Sequence, residues 1–297
     1  MSNEWRGIYA VMITPFNDDL SVDFEGLRAN TEFLARSAID VLVPLGSEGE
    51  FYALTDDERR RVAKVVVETS GGRKPVMVGV SHPSTIEARA LAEHAVAIGA
   101  DAVMATGPYY VKADDAGLRD HFMAIARCGR PTFLYNSPGR VGYNLPPAQI
   151  AGLIQACGLA GVKQAAPDIS ELADLVATSE GTVAVVGGAE TAIWPALCVG
   201  ASGNTATAAS ALPDAFARVW AASRGGRFAD GADLYRRLGP LRVAYRRAGG
   251  QAAIVKRLMD LVGLAGGPPR PPLRRLDPSF DIGLRAVVAD LGPATAA

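Results

Sequence analysis

A single lysine ends a short apolar run, Gly161-Val162-Lys163, in a chain that otherwise relies on arginine for positive charge. Only five of the 30 basic residues are lysines. An arginine side chain keeps its proton and cannot form an imine, whereas a lysine amine that has lost its proton in an apolar pocket is a nucleophile. Lys163 is therefore a candidate for covalent catalysis. The alternative is a surface or ion-paired lysine.

Other residue types that could do chemistry follow further apolar runs of the chain. These segments supply phenols and hydroxyls for proton transfer, turn amides able to bind an anion, and an arginine for a second carboxylate. Taken one at a time they are typical of ordinary turns. Together with Lys163 they suit Schiff-base chemistry on a 2-keto acid. The segments are Gly46-Ser47-Glu48-Gly49-Glu50, Gly107-Pro108-Tyr109-Tyr110, Tyr135-Asn136-Ser137-Pro138-Gly139-Arg140 and Gly187-Gly188.

The apolar runs that precede these segments predict eight strands, and stretches of helical period lie between most of them. Strands and helices that alternate about every 30 residues predict parallel βα units, and eight such units predict an α/β fold of the (β/α)8 TIM barrel type. A doubly wound nucleotide-binding sheet is the weaker alternative, because no GxGxxG turn follows the first run. The predicted strands are 8–14, 41–45, 76–80, 102–106, 132–136, 161–163, 183–186 and 203–206, and the clearest predicted helices are 24–36, 56–68, 85–98 and 169–178.

The chain beyond residue 210 has a different pattern. It is helical and rich in arginine over 213–247 and 251–262, and a last helix is predicted near 282–291. A proline-rich stretch, 266–272, is interpreted as a stiff connector rather than as a partner-recognition motif. The sequence therefore predicts a catalytic barrel over 1–210 and a helical region over 211–297 that packs on it.

Composition narrows the classes of partner and cofactor. The chain has 297 residues, 49% of them apolar, and a net charge of −1, which gives no reason to expect nucleic acid or an anionic membrane. The first residues lack the pattern of a signal peptide, and no apolar run is long enough to span a bilayer, so a cytoplasmic protein is expected. Three scattered cysteines and three separated histidines predict no disulfide framework, no metal site and no cofactor.

The ordered set Gly-Ser-Glu-Gly-Glu, Pro-Tyr-Tyr, Tyr-Asn-x-Pro-x-Arg and Gly-Val-Lys resembles the dihydrodipicolinate synthase / N-acetylneuraminate lyase family of class I aldolases and lyases. The resemblance runs from Ile8 to about Ser210. It implies that Lys163 forms an imine with pyruvate or a related 2-keto acid and that Tyr135 is the general acid/base. It also implies that Ser47 and Tyr110 relay protons to Tyr135.

The resemblance also implies a substrate-binding set. In the family, backbone amides around Ser47 hold the keto-acid carboxylate, an arginine binds the carboxylate of the aldehyde partner, and a glycine leaves space beside the imine. The second tyrosine of Pro-Tyr-Tyr reaches the site of a neighbouring subunit, so Tyr110 implies a homo-oligomer, a dimer or a tetramer. The matching substrate-binding positions are Gly46, Glu48, Arg140, Gly188 and Thr205.

Two departures from the family pattern bear on the substrate. Glu48 stands where the family commonly has a small hydroxyl residue, and Gln164-Ala165-Ala166 stands where many members have Glu-Ala-Thr. Arg140 favours the condensation of pyruvate with aspartate semialdehyde. Glu48 favours the alternative, an aldolase or dehydratase of 2-keto-3-deoxy sugar acids. A barrel that binds a keto acid without turnover is a third hypothesis, which the complete set of Lys163, Tyr135, Tyr110 and Ser47 disfavours.

Overall fold

The computed structural model describes residues 5–247 and 250–292. Eight strands form one sheet, and the paired strands in it run parallel. The order along the sheet is β2-β1-β8-β7-β6-β5-β4-β3. The strands are β1 (Gly7–Val11), β2 (Val41–Val43), β3 (Met77–Gly79), β4 (Ala102–Thr106), β5 (Thr132–Asn136), β6 (Gly161–Gln164), β7 (Ala184–Gly187) and β8 (Gly203–Ala206).

Helices alternate with these strands, and the predicted (β/α)8 TIM barrel class is confirmed. The helices between strands are α1 (Phe24–Arg36), α2 (Asp56–Ser70), α3 (Thr85–Ala97), α4 (Asp115–Ala126), α5 (Pro138–Val141), α6 (Pro147–Cys157), α7 (Ile169–Ser179) and α8 (Ile193–Cys198). After β8 come α9 (Pro213–Arg224), α10 (Phe228–Arg237), α11 (Gly239–Arg247), α12 (Gln251–Leu261) and α13 (Asp281–Leu291).

Local sequence signals account for where the helices begin. Thr55 accepts a hydrogen bond from the amide of Glu58, and the Glu58 carboxylate accepts one from the amide of Thr55. This reciprocal cap satisfies two amides that the first turn of α2 leaves without a partner. Ser84 caps α3 through the amide of Glu87. Both helices therefore begin directly after a residue whose side chain caps the first turn.

The first strand is shorter than predicted. β1 ends at Val11, whereas the apolar run continues to Thr14. The chain leaves the strand because Thr14 turns its hydroxyl towards the carbonyl oxygen of Gly49, 2.7 Å away. A hydroxyl that bonds the backbone of another segment competes with the strand ladder.

The helical stretch predicted over 213–247 is observed, but it is divided into the three helices α9, α10 and α11. α9 ends before Gly225 and Gly226, and Gly226 has a φ of +66°. A left-handed φ suits glycine and terminates a helix. The predicted helices over 251–262 and near 282–291 are observed as α12 and α13.

The chain divides into two compact units, and each unit is made of segments that are not consecutive in the sequence. Among the described residues, one unit holds 5–7 and Pro75–Thr205, and the other holds Ile8–Lys74, 206–247 and 250–292. In each unit the strands are buried along most of their length. No helix of the described residues is both long enough and apolar enough to cross a membrane.

Candidate active site

Lys163 and Tyr135 lie side by side on neighbouring strands. β5 and β6 pair in parallel with Tyr135 opposite Lys163, so both side chains leave the same face of the sheet. The Lys163 amine lies 3.9 Å from the centroid of the Tyr135 ring. Lys163 is 3% exposed and Tyr135 is also buried. The two residues that carry the predicted chemistry are thus brought together.

The surroundings of the Lys163 amine are aromatic rather than acidic in the part of the chain that the structure describes. Among residues 5–247 and 250–292, no carboxylate lies within the 4.0 Å of an ion pair. The aromatic ring of Tyr135 contacts the amine instead. An amine that is not committed to a carboxylate is available to a carbonyl substrate, which is the requirement for imine formation.

Gly188 and Thr205 lie at the ends of the next two strands. The Gly188 amide donates to the carbonyl oxygen of Gln164 at 2.7 Å, and a Cβ at position 188 would lie 2.6 Å from the Cβ of Ala165. Only glycine fits that approach. The Thr205 hydroxyl donates to the carbonyl oxygen of Gly187 at 3.3 Å and is buried.

Arg140 and Tyr110 lie in segments that follow strands of the same unit. Arg140 lies on the short helix α5, where its amide donates to the carbonyl oxygen of Ser137, and its side chain is exposed. Tyr110 is 100% exposed and has a φ of +72°, a backbone conformation that is uncommon outside glycine. Its hydroxyl makes no hydrogen bond to any described residue of this chain. A single chain therefore does not link Tyr110 to Tyr135.

The segment Gly46–Glu50 belongs to the second unit. Ser47–Gly49 forms one turn of 3-10 helix, and both Ser47 and Glu48 are buried. A Cβ at position 46 would lie 2.7 Å from Val11 Cγ1, and one at position 49 would lie 2.9 Å from the carbonyl oxygen of Met12. The two glycines let this turn pack directly on the chain at and just beyond the end of β1.

Glu50, at the end of that turn, is anchored by a second buried lysine. Lys256 on α12 lies 2.8 Å from Glu50 Oε1 and donates to the carbonyl oxygens of Thr14 at 2.9 Å and Pro268 at 2.8 Å. Glu50 is completely buried and has a φ of +55°. Burial lowers the pKa of Lys256 to about 8, although the Glu50 carboxylate opposes that shift. An ion pair this deep holds the turn in one place.

Arg270 extends this anchor into the proline-rich connector. Its amide donates to Glu50 Oε2 at 2.9 Å, and its guanidinium forms two hydrogen bonds with the Glu58 carboxylate, at 2.7 and 2.6 Å. The same guanidinium donates to the carbonyl oxygens of Leu20 and Ala53. Two features of the sequence point to this anchor: Lys256 is one of only five lysines, and it stands in an apolar helical run.

Within the described ranges, the histidines and acidic residues do not assemble into a metal site. The described residues contain no group of three or more His, Cys, Asp or Glu side chains that could hold a metal ion. His121 on α4 is buried, with Nδ1 2.9 Å from the Thr85 hydroxyl. Burial lowers the pKa of His121 to about 4. Its imidazole is therefore neutral at neutral pH.

Comparison with known proteins agrees with this arrangement. A model of the dihydrodipicolinate synthetase family matches residues 4–289. A protein of Methanoculleus marisnigri named 4-hydroxy-tetrahydrodipicolinate synthase is 35% identical, covering 97% of this chain and 100% of that protein. One of the same name from Methanopyrus kandleri is 34% identical and covers 92% of each chain.

A solved structure extends the likeness to the fold. The dihydrodipicolinate synthase from Aquifex aeolicus has a TM-score of 0.91 at 26% identity, covering 97% of this chain and 99% of that chain. The motifs around Lys163 and Tyr135 predicted such relatives. Since the family model spans nearly the whole sequence, the chain belongs to the dihydrodipicolinate synthetase family.

Proposed function

We propose that this protein is a class I lyase that condenses pyruvate with aspartate semialdehyde through an imine on Lys163, as a 4-hydroxy-tetrahydrodipicolinate synthase. The observation that carries the proposal is the buried Lys163 amine, which lies against the Tyr135 ring and has no acidic partner among the described residues. The names and near-complete coverage of the relatives support it.

The covalent steps follow from the chemistry of a primary amine. The Lys163 nitrogen adds to the keto carbon of pyruvate, and loss of one water leaves the imine. Removal of a methyl proton gives an enamine, because the imine accepts the electron pair. The enamine carbon then adds to the aldehyde carbon of the second substrate, forming one carbon–carbon bond, and the new alkoxide takes a proton. The amino group of the semialdehyde then adds to the imine carbon and displaces the Lys163 nitrogen, which closes the product ring and regenerates the free lysine amine.

Tyr135 is the group that we propose to move these protons. A phenol has an ordinary pKa of about 10, so it needs hydrogen-bonded partners to exchange protons near neutrality. The family resemblance assigns that relay to Ser47 and Tyr110. Tyr110 is fully exposed in one chain and its backbone is held in an uncommon conformation, which supports a role in a neighbouring subunit. We therefore propose a homo-oligomer, a dimer or a tetramer.

Substrate carboxylates require donors. We propose that the backbone amides at Gly46, Ser47 and Glu48 hold the keto-acid carboxylate, because successive amides of a tight turn form an anion-binding concavity. Arg140 is proposed to bind the carboxylate of the semialdehyde through its guanidinium fork. Gly188 and Thr205 are proposed to line the space beside the imine. No metal or cofactor enters this chemistry.

The same proposal covers the domain organisation, the location in the cell and the partners of the protein. We propose a catalytic barrel over 1–210, completed by the helical region 211–297, which supplies Lys256 to the buried anchor. Residues 1–4, 248–249 and 293–297 of these two regions lie outside the described residues. We also propose that the protein acts in the cytoplasm on small molecules, without nucleic acid or membrane.

Glu48 favours a second candidate reaction. It is 8% exposed, and two carboxylates at about 4 Å repel each other by roughly 1 kcal/mol in water and by more in a partly buried site. A buried carboxylate beside the keto-acid pocket suits a hydroxylated substrate that can donate hydrogen bonds to it. The second candidate is therefore an aldolase or dehydratase of 2-keto-3-deoxy sugar acids.

Steady-state assays of the purified protein separate these candidates. We expect turnover of pyruvate with aspartate semialdehyde at a kcat/KM at least about 100-fold above that for cleavage or dehydration of 2-keto-3-deoxy sugar acids. The reverse order would assign the second candidate. If both substrate classes are inert with the wild type, the chain is a keto-acid-binding protein or uses a different substrate.

A further inference from the structure

The residues that follow Tyr135 and Lys163 along their strands form a polar cluster of their own. Asn136 ends β5 and Gln164 ends β6, and the two lie opposite each other in the sheet. Successive side chains of a strand leave opposite faces, so Asn136 and Gln164 lie on the other face from the catalytic pair. Both are almost completely buried, and they need hydrogen-bond partners there.

Four side chains satisfy one another in a closed ring. Asn136 Nδ2 donates to Gln164 Oε1 at 2.8 Å and to Asn144 Oδ1 at 2.9 Å. Gln164 Nε2 donates to Glu171 Oε2 at 3.0 Å. Asn144 Nδ2 donates to Glu171 Oε1 at 2.8 Å, which closes the ring. We call Asn136, Gln164, Glu171 and Asn144 the amide ring.

The one carboxylate of the ring sets the direction of every bond in it. An ionised Glu171 can only accept, so Gln164 and Asn144 must each turn an NH2 group towards it. Their oxygens then face Asn136, which must donate to both. The ring therefore has one consistent arrangement of donors and acceptors. Leu145 adds backbone contacts: its amide donates to Asn136 Oδ1, and its carbonyl oxygen, 3.1 Å from Asn136 Nδ2, shares one of the two hydrogens of that group.

The ring ties the ends of the two catalytic strands to the elements outside the sheet. Glu171 lies in the first turn of α7, and Asn144 lies in the segment before α6. Because strand side chains alternate, a shift of one residue at either strand end would turn Tyr135 or Lys163 to the wrong face. Fixing Asn136 and Gln164 fixes the relative position of the two residues that precede them.

We propose that the amide ring positions Lys163 and Tyr135 for imine formation, with Gln164 and Glu171 as positioning residues rather than catalytic ones. The inference rests on the proposed imine chemistry and adds to it the residues that hold the reacting pair. Displacement of a reacting group by about 1 Å costs on the order of 100-fold in rate. A disturbed ring therefore slows the chemical step more than it weakens substrate binding.

Exchanging the neutral amide at position 164 and the charged carboxylate at position 171 tests the amide ring directly. Gln164→Glu replaces Nε2, which lies 3.0 Å from Glu171 Oε2, with a carboxylate oxygen, so two negative groups repel each other across that contact. Glu171→Gln in the same chain returns an amide donor to that contact and moves the single charge to position 164. The double variant has the same number of donors and acceptors as the wild type.

A matched control lies on the surface of the same unit. Gln149 Nε2 donates to Asp115 Oδ1 at 2.7 Å between α6 and α4, in an exposed pair. Gln149→Glu creates the same opposition of carboxylates without touching β5 or β6. It controls for the added charge alone.

The measurement is the rate constant of imine formation with pyruvate, followed by timed borohydride reduction and intact mass, alongside kcat and KM. We expect Gln164→Glu to slow imine formation about 100-fold or more with a KM change below about fivefold, and the double variant to return within about tenfold of wild type. Gln149→Glu is expected to match the wild type. Thermal unfolding of each variant shows whether it is folded.

Separate outcomes overturn separate claims. A Gln164→Glu protein that forms the imine at the wild-type rate overturns the positioning role, and so does a folded double variant that stays as slow as the single one. If Gln164→Glu does not fold, the double variant alone tests the positioning role. A folded double variant that forms the imine far more slowly than the wild type then overturns that role. A wild type that forms no adduct overturns the proposed function, and this inference with it.

Discussion

Lys163 and Lys256 are both buried, at 3% and 1% exposure, and their surroundings are opposite. Lys163, in the unit of Pro75–Thr205, contacts an aromatic ring and has no carboxylate partner among the described residues. Lys256, in the other unit, lies 2.8 Å from the Glu50 carboxylate and donates to two carbonyl oxygens. Burial alone therefore does not make a lysine reactive, because the partners decide whether its amine is free to attack a carbonyl.

The same contrast extends to the buried polar groups around each lysine. Near Lys163 the anchoring groups are neutral amides, with one partly exposed carboxylate at the edge of the amide ring. Near Lys256 the anchor consists of full charges, with Glu50 and Lys256 buried and Arg270 paired to Glu58. Neutral anchors leave the candidate nucleophile without a competing charge, whereas the turn that bears Ser47 is held by ion pairs and hydrogen bonds of charged groups.

Removal of the candidate nucleophile is expected to have the largest effect. Lys163→Ala removes the imine and should lower kcat by at least about 10⁴-fold. Lys64→Ala, which removes an exposed lysine paired with Glu68, should leave kcat unchanged. Steady-state condensation assays measure both. Near-normal turnover by Lys163→Ala would remove the contrast between the two buried lysines.

Tyr135→Phe is expected to have the next effect. The ring that contacts Lys163 remains and only the hydroxyl is lost, so the protein should fold normally while kcat falls by about 10²- to 10⁴-fold. The comparison of kcat with the thermal midpoint checks this. A variant that loses stability but keeps its turnover per folded molecule would make Tyr135 a packing residue.

Lys256→Met tests the other lysine of the comparison. We expect it to lower the free energy of unfolding, because Lys256 is proposed to have a structural role. It leaves the buried Glu50 carboxylate without its cation, at a cost of about 3–5 kcal/mol in the free energy of unfolding. Lys256→Met with Glu50→Gln should recover part of that loss, since no unpaired charge remains. Denaturant unfolding measures both variants. A single variant within about 0.5 kcal/mol of wild type would show that the anchor is not structural.

His121 gives the smallest expected effect, which depends on pH. Its pKa falls from 6.5 to about 4 on folding, chiefly through burial, so the unfolded chain takes up a proton first as the pH drops. The stabilisation is complete above pH 6.5 and is lost as the pH falls to about 4, in total about 3 kcal/mol. His121→Asn should lack this component. Unfolding free energies of both proteins at about pH 7 and about pH 4 test it, and identical pH slopes would contradict it.

The sequence predicted the elements that carry strong local signals. The eight strands follow from periodicity, and the placement of Lys163 on the strand after that of Tyr135 follows from the motifs. What it missed depends on partners far apart in the chain: the Arg270 amide that bonds Glu50 is 220 residues away from it. No local sequence pattern pairs such residues. From the sequence alone, Gln164 is only a departure from the family motif, because its hydrogen-bond partners are not visible there.

The most direct test of the central claim is to locate the adduct after incubation with pyruvate and borohydride. Peptide mapping distinguishes Lys163 from Lys256 and from the three other lysines. We expect one reduced pyruvyl group, on Lys163 alone, and none on the Lys163→Ala protein. An adduct on Lys256, or one that persists at an equal level in Lys163→Ala, would contradict it.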